Sequence, residues 1–152
     1  GISIRYISGN PLTGRKISKN GVLRAYDSQI TVIPEGDDVH ELVGWASLSS
    51  KRYSAGATYF THNKKYRLDA RLLGGPRAII VSNEYDKVFP MDIFPEQLIK
   101  ATIAFNIDKM EQLGIYEVAP EDFALCEFVD TSKLEIQRII RTGLDLLRKE
   151  ME

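Results

Sequence analysis

The chain has 152 residues and a mass of 17.2 kDa, a length that fits one domain. Apolar residues make up 43% of the sequence and charged residues 27%, which excludes collagen-like, low-complexity and wholly disordered proteins. The net charge of −1 conceals an asymmetry. Residues 1–77 carry 12 Lys and Arg against 6 Asp and Glu, whereas residues 78–152 carry 8 against 15.

Residue content excludes two further classes of protein. Cys126 is the single cysteine, so the chain forms no internal disulfide and is not a disulfide-stapled scaffold. No apolar run approaches the roughly 18 residues that cross a bilayer, so we expect no transmembrane helix and no membrane partner. The sequence begins at Gly1 without a methionine or a signal-like apolar stretch, and we therefore expect no targeting segment and a soluble, cytoplasmic protein.

The N-terminal residues predict strands joined by turns. Residues 2–7 show the period of two that is typical of a strand. Residues 9–14 contain two glycines and a proline and predict a hairpin loop. The pair at residues 20–21 is Asn-Gly, which tolerates the positive φ angles of a tight turn. We therefore predict a second hairpin there, with a second arm that runs toward Ile33.

Four further strands are predicted in the middle of the chain. Residues 41–49 and 57–62 have strand composition and are separated by a short polar link. Residues 66–72 alternate strictly between apolar and charged side chains, which indicates a half-buried strand. Residues 78–81 read Ala-Ile-Ile-Val, which is typical of a central strand buried on both faces.

The C-terminal residues predict two helices with one strand between them. Residues 95–114 begin with a proline, repeat apolar side chains at helical spacing and end at a glycine. Residues 124–129 form an apolar run that we interpret as a strand. Residues 132–150 open with Ser132 and Glu135 in the spacing of a capping box and continue with a stripe of apolar residues.

Three residues of this part are assigned to packing. Gly143 lies inside the second predicted helix, where glycine costs about 1 kcal/mol relative to alanine, so we expect another element to approach it closely. Ile140 lies at the centre of the apolar stripe, which must cover the sheet or another chain's helix. Cys126 is expected to pack as a small apolar residue, because no histidine lies near it in sequence.

These elements predict an α+β fold. We expect a mainly antiparallel, curved sheet in the N-terminal two-thirds, with two C-terminal amphipathic helices and one strand between them. No repeat or linker-like composition divides the sequence, so we predict a single domain over residues 1–152. Its β-rich part covers residues 1–82, and its helical parts cover residues 95–114 and 132–150.

The sequence lacks the standard motifs of phosphate, dinucleotide, protease and zinc sites. His40 and His62 are the two histidines, and each is interpreted as a solvated surface residue. With two imidazoles and one thiol, a zinc site of four such ligands cannot be built from one chain. We therefore predict no metal site and no cofactor.

A basic and aromatic cluster is the first candidate site. Cations neutralise phosphate, and aromatic faces stack on bases. The alternative is that the tyrosines are core residues and the lysines a solvated hairpin tip. The candidate ligand-binding residues are Lys51, Arg52, Tyr53, Tyr59, Lys64, Lys65, Arg67 and Arg71, with Tyr66 beside them.

A second candidate comes from two short segments. Residues 56–60 read Gly-Ala-Thr-Tyr-Phe, and residues 83–85 read Asn-Glu-Tyr. In this respect the sequence resembles the ADP-ribosyltransferases, in which a Gly-x-x-Tyr-Phe strand packs against nicotinamide and a Glu in an Asn-Glu-Tyr context orients the ribose. The resemblance implies a nucleotide-processing enzyme with Glu84 as the acid/base or ribose-orienting group and Tyr59 stacked on the base.

Three hypotheses of function follow. The first is a small interaction module whose basic, tyrosine-bearing sheet binds a phosphate-rich ligand, either a nucleotide or a nucleic acid. The second is the nucleotide-processing enzyme. The third is a self-assembling structural component of a viral or multi-protein particle, in which basic and acidic patches join neighbouring chains. The charge asymmetry also predicts a homo-oligomer or a protein partner.

Overall fold

A computed structural model describes residues 2–36, 65–66, 68–72, 74–80 and 83–152. The chain divides into two compact units, an N-terminal unit (Gly1–Gly75) and a C-terminal unit (Pro76–Glu152). That residues 1–152 form a single domain stays a prediction.

The N-terminal unit contains a three-stranded antiparallel sheet. Its strands are β1 (Ile4–Ser8), β2 (Arg15–Ile17) and β3 (Ile30–Pro34), and they lie side by side in the order β2-β1-β3. In the centre of the sheet, Tyr6 of β1 is paired with Ile17 on one side and Val32 on the other. The predicted strand at residues 2–7 is therefore confirmed as the central strand of this sheet.

The loop between β1 and β2 is the predicted hairpin loop. The side-chain oxygen of Asn10 accepts hydrogen bonds from the backbone N–H groups of Leu12 and Thr13, each at 2.8 Å. The backbone N–H of Gly14 donates to the carbonyl of Asn10 at 2.8 Å. These bonds close the turn by local side-chain chemistry that asparagine commonly supplies.

The predicted second hairpin at Asn20-Gly21 is wrong. The backbone N–H of Gly21 does donate to the carbonyl of Ser18, at 2.9 Å, so the chain turns there. The two flanking segments do not pair, because β2 and β3 each pair with β1 instead. The segment after the turn is held by Ser8, whose hydroxyl accepts from the backbone N–H of Arg24 at 3.0 Å.

The predicted strands at 41–49 and 57–62 lie outside the described residues. Within 66–72, none of the described residues is in a strand. Among its described residues, the backbone N–H of Ala70 donates to the carbonyl of Pro34 in the sheet at 2.9 Å. The strand predicted there is wrong, since Asp69 turns the chain by accepting from the backbone N–H of Arg71.

The buried strand predicted at residues 78–81 is also wrong over its described residues, 78–80. Ile80 is 58% exposed. The backbone here pairs with a loop instead of a sheet, because the N–H of Arg77 donates to the carbonyl of Ser132 at 2.9 Å and the Ser132 hydroxyl donates to the carbonyl of Ala78 at 3.1 Å.

The C-terminal unit is helical over most of its length. It contains α1 (Pro95–Ile103), α2 (Ile107–Gln112), α3 (Ala124–Val129) and α4 (Ile136–Met151), with two short 3₁₀ helices at Ile115–Glu117 and Pro120–Phe123. Large side chains from all these elements meet in one apolar core. Its fully buried members include Leu98, Ile99, Met110, Ile115, Phe123, Cys126, Ile136 and Ile140.

The helix predicted over 95–114 is two helices. After α1 the chain reverses at Phe105, which has φ +47°. The N–H groups of Phe105 and Asn106 donate to the carbonyls of Thr102 and Ala101, the bond pattern of a Schellman motif. The Asn106 side chain then accepts from the N–H of Lys109 and caps α2.

The strand predicted at 124–129 is wrong, because these residues form α3. The preceding 3₁₀ helix begins where the carboxylate of Asp122 accepts from the backbone N–H of Ala119 at 2.7 Å, and it leads directly into α3. Cys126 is fully buried in the apolar core, in agreement with its predicted packing role.

The second predicted helix exists but begins later. α4 starts at Ile136 with Glu135 at its N-cap position, so Ser132 lies three residues before the cap and its hydroxyl donates to the carbonyl of Ala78. The apolar stripe is buried at Ile140 and Leu147, whereas Met151 is 75% exposed. An α+β fold with an antiparallel sheet is thus confirmed, and the curvature of that sheet stays a prediction. Among the described residues, no helix has the length and apolarity that a membrane crossing requires.

Candidate functional site

Most of the predicted basic cluster lies outside the described residues. This applies to Lys51, Arg52, Tyr53, Tyr59, Lys64 and Arg67. The described members are Lys65, which is exposed, and Arg71, which is partly buried.

Arg71 has a structural position in the N-terminal unit. Its guanidinium forms an ion pair with Asp69 at 2.7 Å. Its side-chain carbons lie over Gly36, which has φ +72°, and a Cβ at Gly36 would lie 2.5 Å from Cγ of Arg71. The charge of Arg71 is therefore matched by a neighbouring carboxylate, and its stem packs on the backbone.

Two more cations of the basic half surround Glu35. The guanidinium of Arg5 donates to both carboxylate oxygens, at 2.9 and 2.5 Å, and the ammonium of Lys16 lies 2.8 Å from one of them. The hydrogen bonds from Arg5 and then from Lys16 lower the pKa of Glu35 to about 2. Glu35 is thus a fixed anion that joins β1, β2 and the end of β3.

A second carboxylate, that of Asp27, contacts the C-terminal end of β1 at Ser8. Asp27 accepts from the Ser8 hydroxyl at 2.5 Å and from the guanidinium of Arg24 at 2.7 Å. The bond from Arg24, followed by the bond from Ser8, lowers the pKa of Asp27. These two networks contain three cations of the basic half, and the Arg71–Asp69 pair contains a fourth. Arg5, Lys16, Arg24 and Arg71 each lie against a carboxylate of their own unit.

Glu84 lies in a turn of the C-terminal unit. It is partly buried and follows Asn83, which has φ +54°. Burial lowers the pKa of Lys133, and the negative charges of Asp130 and, less strongly, Glu84 act in the opposite direction. Tyr59, the other residue of the enzyme hypothesis, lies outside the described residues.

The neighbour of Glu84, Tyr85, forms a buried polar contact in this unit. Its hydroxyl donates to Asp130 at 2.7 Å, with Tyr85 5% and Asp130 1% exposed. Asp130 also accepts from the backbone N–H groups of Ser132 and Leu134, each at 2.8 Å. Burial and the bond to Asp130 raise the pKa of Tyr85 far above its ordinary value. The phenol therefore stays protonated and acts as a hydrogen-bond donor.

Burial also disfavours ionisation of the single thiol, Cys126. Burial raises the pKa of Cys126 to about 12, so the thiolate that a nucleophile or a metal ligand requires is not formed near neutral pH. Across the described ranges, no three acidic, histidine or cysteine side chains are grouped as a metal site would need.

The buried contact between Tyr85 and Asp130 was not predicted from the sequence. Asp130 was assigned no role, although aspartate commonly forms turns in which its carboxylate accepts from the backbone N–H two residues further on. Its partner Tyr85 is 45 positions away, and no local pattern links the two.

Similarity to known proteins extends over nearly the whole sequence. No protein-family model matches the chain. The chain is similar to proteins named as the A subunit of Na⁺-translocating NADH-quinone reductase. The identity is 35% over 153 residues for the Rhodopirellula baltica protein, covering 98% of this chain. It is 35% over 150 residues for Neisseria meningitidis serogroup C and 36% over 153 for Saccharophagus degradans, each covering 96% of this chain. The chain spans only about a third of the length of these relatives, 33% in each case.

These similarities correct the hypotheses of function. The prediction of a small independent module that binds a nucleotide or nucleic acid is wrong. The relatives that match nearly the whole chain are named as one component of a reductase. The ADP-ribosyltransferase-like enzyme and the self-assembling particle component are overturned by the same finding. The sequence resemblance on which the enzyme hypothesis depended covers two segments of fewer than ten residues.

Proposed function

We propose that this chain is a section of a Na⁺-translocating NADH-quinone reductase and corresponds to about a third of its A subunit. The observation that carries the proposal is the identity of 35–36% over 96–98% of this chain with that protein from three bacteria. The alignment covers both the sheet unit and the helical unit, so the similarity is not confined to one short motif.

The role of this section within the reductase is structural support and contact with other protein chains. The chemistry of the described residues favours this role. Tyr85 and Cys126 are held protonated by burial, and Glu35 is held ionised by Arg5 and Lys16. Such groups stabilise a fold and do not exchange protons near neutral pH. A cytoplasmic location and the formation of homo-oligomers remain predictions.

Assembly tests the proposal. The matching third of the Saccharophagus degradans relative would be replaced by residues 1–152, and the reductase would be purified through an affinity tag on a different component. We expect the chimeric protein to co-purify in the same ratio as its parent. A variant of the parent from which the matching third is deleted serves as the control and should be lost. Loss of the chimera under conditions that retain the parent would contradict the proposal.

A further inference from the structure

The turn that follows β2 contains the one Asn-Gly pair of the sequence, Asn20-Gly21. The backbone N–H of Gly21 donates to the carbonyl of Ser18 at 2.9 Å and closes the turn. Residues 18–22 are exposed. The pair lies in the connection between β2 and β3, which do not pair with each other, so it is not held at the tip of a hairpin.

An asparagine followed by glycine brings an electrophile and a nucleophile together within the chain. The electrophile is the side-chain amide carbon, Cγ of Asn20, and the nucleophile is the backbone nitrogen of Gly21. Attack of this nitrogen on Cγ closes a five-membered ring. Glycine favours the attack, because it has no Cβ to obstruct the approach and its backbone adopts many conformations. Asparagine is accordingly one of the thermolabile residues of proteins.

Two other asparagines lack this combination of groups. Asn10 is followed by Pro11, which has no N–H with which to attack, and its side chain is held by hydrogen bonds within the loop. Asn106 is followed by the β-branched Ile107, and its side-chain oxygen accepts from the N–H of Lys109 at 3.1 Å. Both asparagines are exposed, so exposure alone does not distinguish Asn20 from them.

The hydrogen bond that closes the turn opposes the reaction only weakly. The nitrogen of Gly21 must release its bond to the Ser18 carbonyl before it attacks. In an exposed turn, water replaces such a bond at a small net cost in free energy. We therefore expect the folded chain to react at a rate within about tenfold of that of the unfolded chain.

We propose that Asn20 is a site of spontaneous deamidation, with the nitrogen of Gly21 as the nucleophile and water as the co-reactant. The nitrogen gives its proton to hydroxide and forms a bond to Cγ, the bond from Cγ to Nδ2 breaks, and Nδ2 takes a proton from water and leaves as ammonia. Water then adds to either carbonyl of the ring and breaks one of its two C–N bonds. The product is aspartate or isoaspartate, and no group is oxidised or reduced. This inference does not depend on the proposed function.

The modification changes the charge of the turn and, in isoaspartate, its main chain. A neutral amide becomes a carboxylate next to Lys19. In isoaspartate the main chain passes through Cβ and is one atom longer, so the bond from Gly21 to Ser18 loses its geometry. The turn would then open in the connection that leads to Arg24, whose N–H donates to the Ser8 hydroxyl at 3.0 Å.

Labelling with heavy-oxygen water tests the proposal. The 152-residue chain would be incubated in this water at mildly alkaline pH, digested in acid, where the reaction is slow, and analysed by mass spectrometry. We expect labelled oxygen at position 20, faster at higher pH, and none at Asn10 or Asn106 in the same digest. The same incubation in urea gives the rate of the unfolded chain. A rate in the folded chain more than about tenfold below the rate in urea would overturn the proposal.

Two variants test the role of Gly21 as the nucleophile. Gly21→Ala adds a Cβ, and we expect it to slow labelling about tenfold or more. That Cβ would lie 3.0 Å from the Ser18 carbonyl oxygen, so the comparison is repeated in urea, where the fold has no effect. Val22→Ala is the matched control, because Val22 is 86% exposed and supplies no reacting atom, and it should change the rate by less than about twofold. Equal rates in Gly21→Ala and the parent would overturn the proposal.

Discussion

Gly143 of α4 lies directly against Thr102 of α1. A Cβ placed at Gly143 would be 2.4 Å from Cγ2 of Thr102 and 3.2 Å from the methyl carbon of Met110. The absence of a side chain at this position is therefore what lets the two helices approach each other. The predicted close packing at Gly143 is confirmed by this contact.

Gly143→Ala should destabilise the C-terminal unit. Helix propensity favours alanine by about 1 kcal/mol, but overpacking of a tight contact costs about 1–3 kcal/mol. We expect a net loss of roughly 1 kcal/mol in the free energy of unfolding, measured by urea denaturation followed by circular dichroism at a helical wavelength.

Thr102→Ser provides the matched control for that variant. It removes the Cγ2 methyl and keeps the hydroxyl that donates to the Leu98 carbonyl at 2.8 Å. Gly143→Ala combined with Thr102→Ser should be more stable than the sum of the two single changes. Strict additivity would show that the two residues do not clash.

Asp130 should matter more to stability than Tyr85. Tyr85→Phe removes one hydrogen bond, which contributes about 1 kcal/mol. Asp130→Ala leaves the Tyr85 hydroxyl and the N–H groups of Ser132 and Leu134 without their acceptor, and each unsatisfied buried group costs about 1–3 kcal/mol. Asp130→Asn, which keeps the shape, should fall between them. Equal losses for Tyr85→Phe and Asp130→Ala in urea denaturation would contradict this network.

The sheet unit should become less stable in acid, because protonation of Glu35 removes its ion pairs with Arg5 and Lys16. The pKa of Glu35 is lowered from 4.5 to about 2 by Arg5 and Lys16, so the folded unit binds this proton more weakly than the unfolded chain. The stabilisation is complete above pH 4.5 and is lost as the pH falls toward 2. Amide exchange of β1 measured between these pH values should reveal the loss in the parent and its absence in Glu35→Gln. The same pH dependence in both proteins would contradict the role of Glu35.

Ile140→Ala should destabilise the helical unit strongly. Ile140 is fully buried at the centre of the apolar stripe, so the change loses buried area and leaves a cavity, at a cost of about 2–5 kcal/mol. Leu146→Ala on the same helix is the control, because Leu146 is 37% exposed. A similar small loss for both variants would mean that the stripe is not buried in the isolated protein.

Local signals were sufficient for several elements of the fold. Pro95 marks the beginning of α1, and Gly114, with φ +86°, marks the end of α2. The apolar repeat of α4 was recognised because it extends over 16 residues. Such features depend on neighbours in sequence and need no knowledge of the tertiary structure.

Other elements could not be predicted correctly, because their structure depends on contacts with residues outside the local sequence. The run at 124–129 is too short for periodicity to distinguish helix from strand, and the preceding 3₁₀ helix decides it. Ser132 has the pattern of a helix cap, but α4 begins later, at Ile136, and the Ser132 hydroxyl donates to the carbonyl of Ala78, 54 positions away. The turn at Gly21 is real, yet its flanking segments both pair elsewhere. Arg71, one of the cations expected to bind a ligand, forms an ion pair with Asp69 that the sequence pattern did not indicate.

Enzyme activity of the chimeric reductase tests the central claim most directly. Residues 1–152 would replace the matching third of the Saccharophagus degradans relative, and the rate of Na⁺-dependent quinone reduction by NADH would be measured on the purified enzyme. We predict a rate within about tenfold of the parent, since a section that folds and docks correctly preserves the barrier to within about 1.4 kcal/mol. A correctly folded chimera with activity no higher than that of the enzyme lacking the matching third would contradict the assignment.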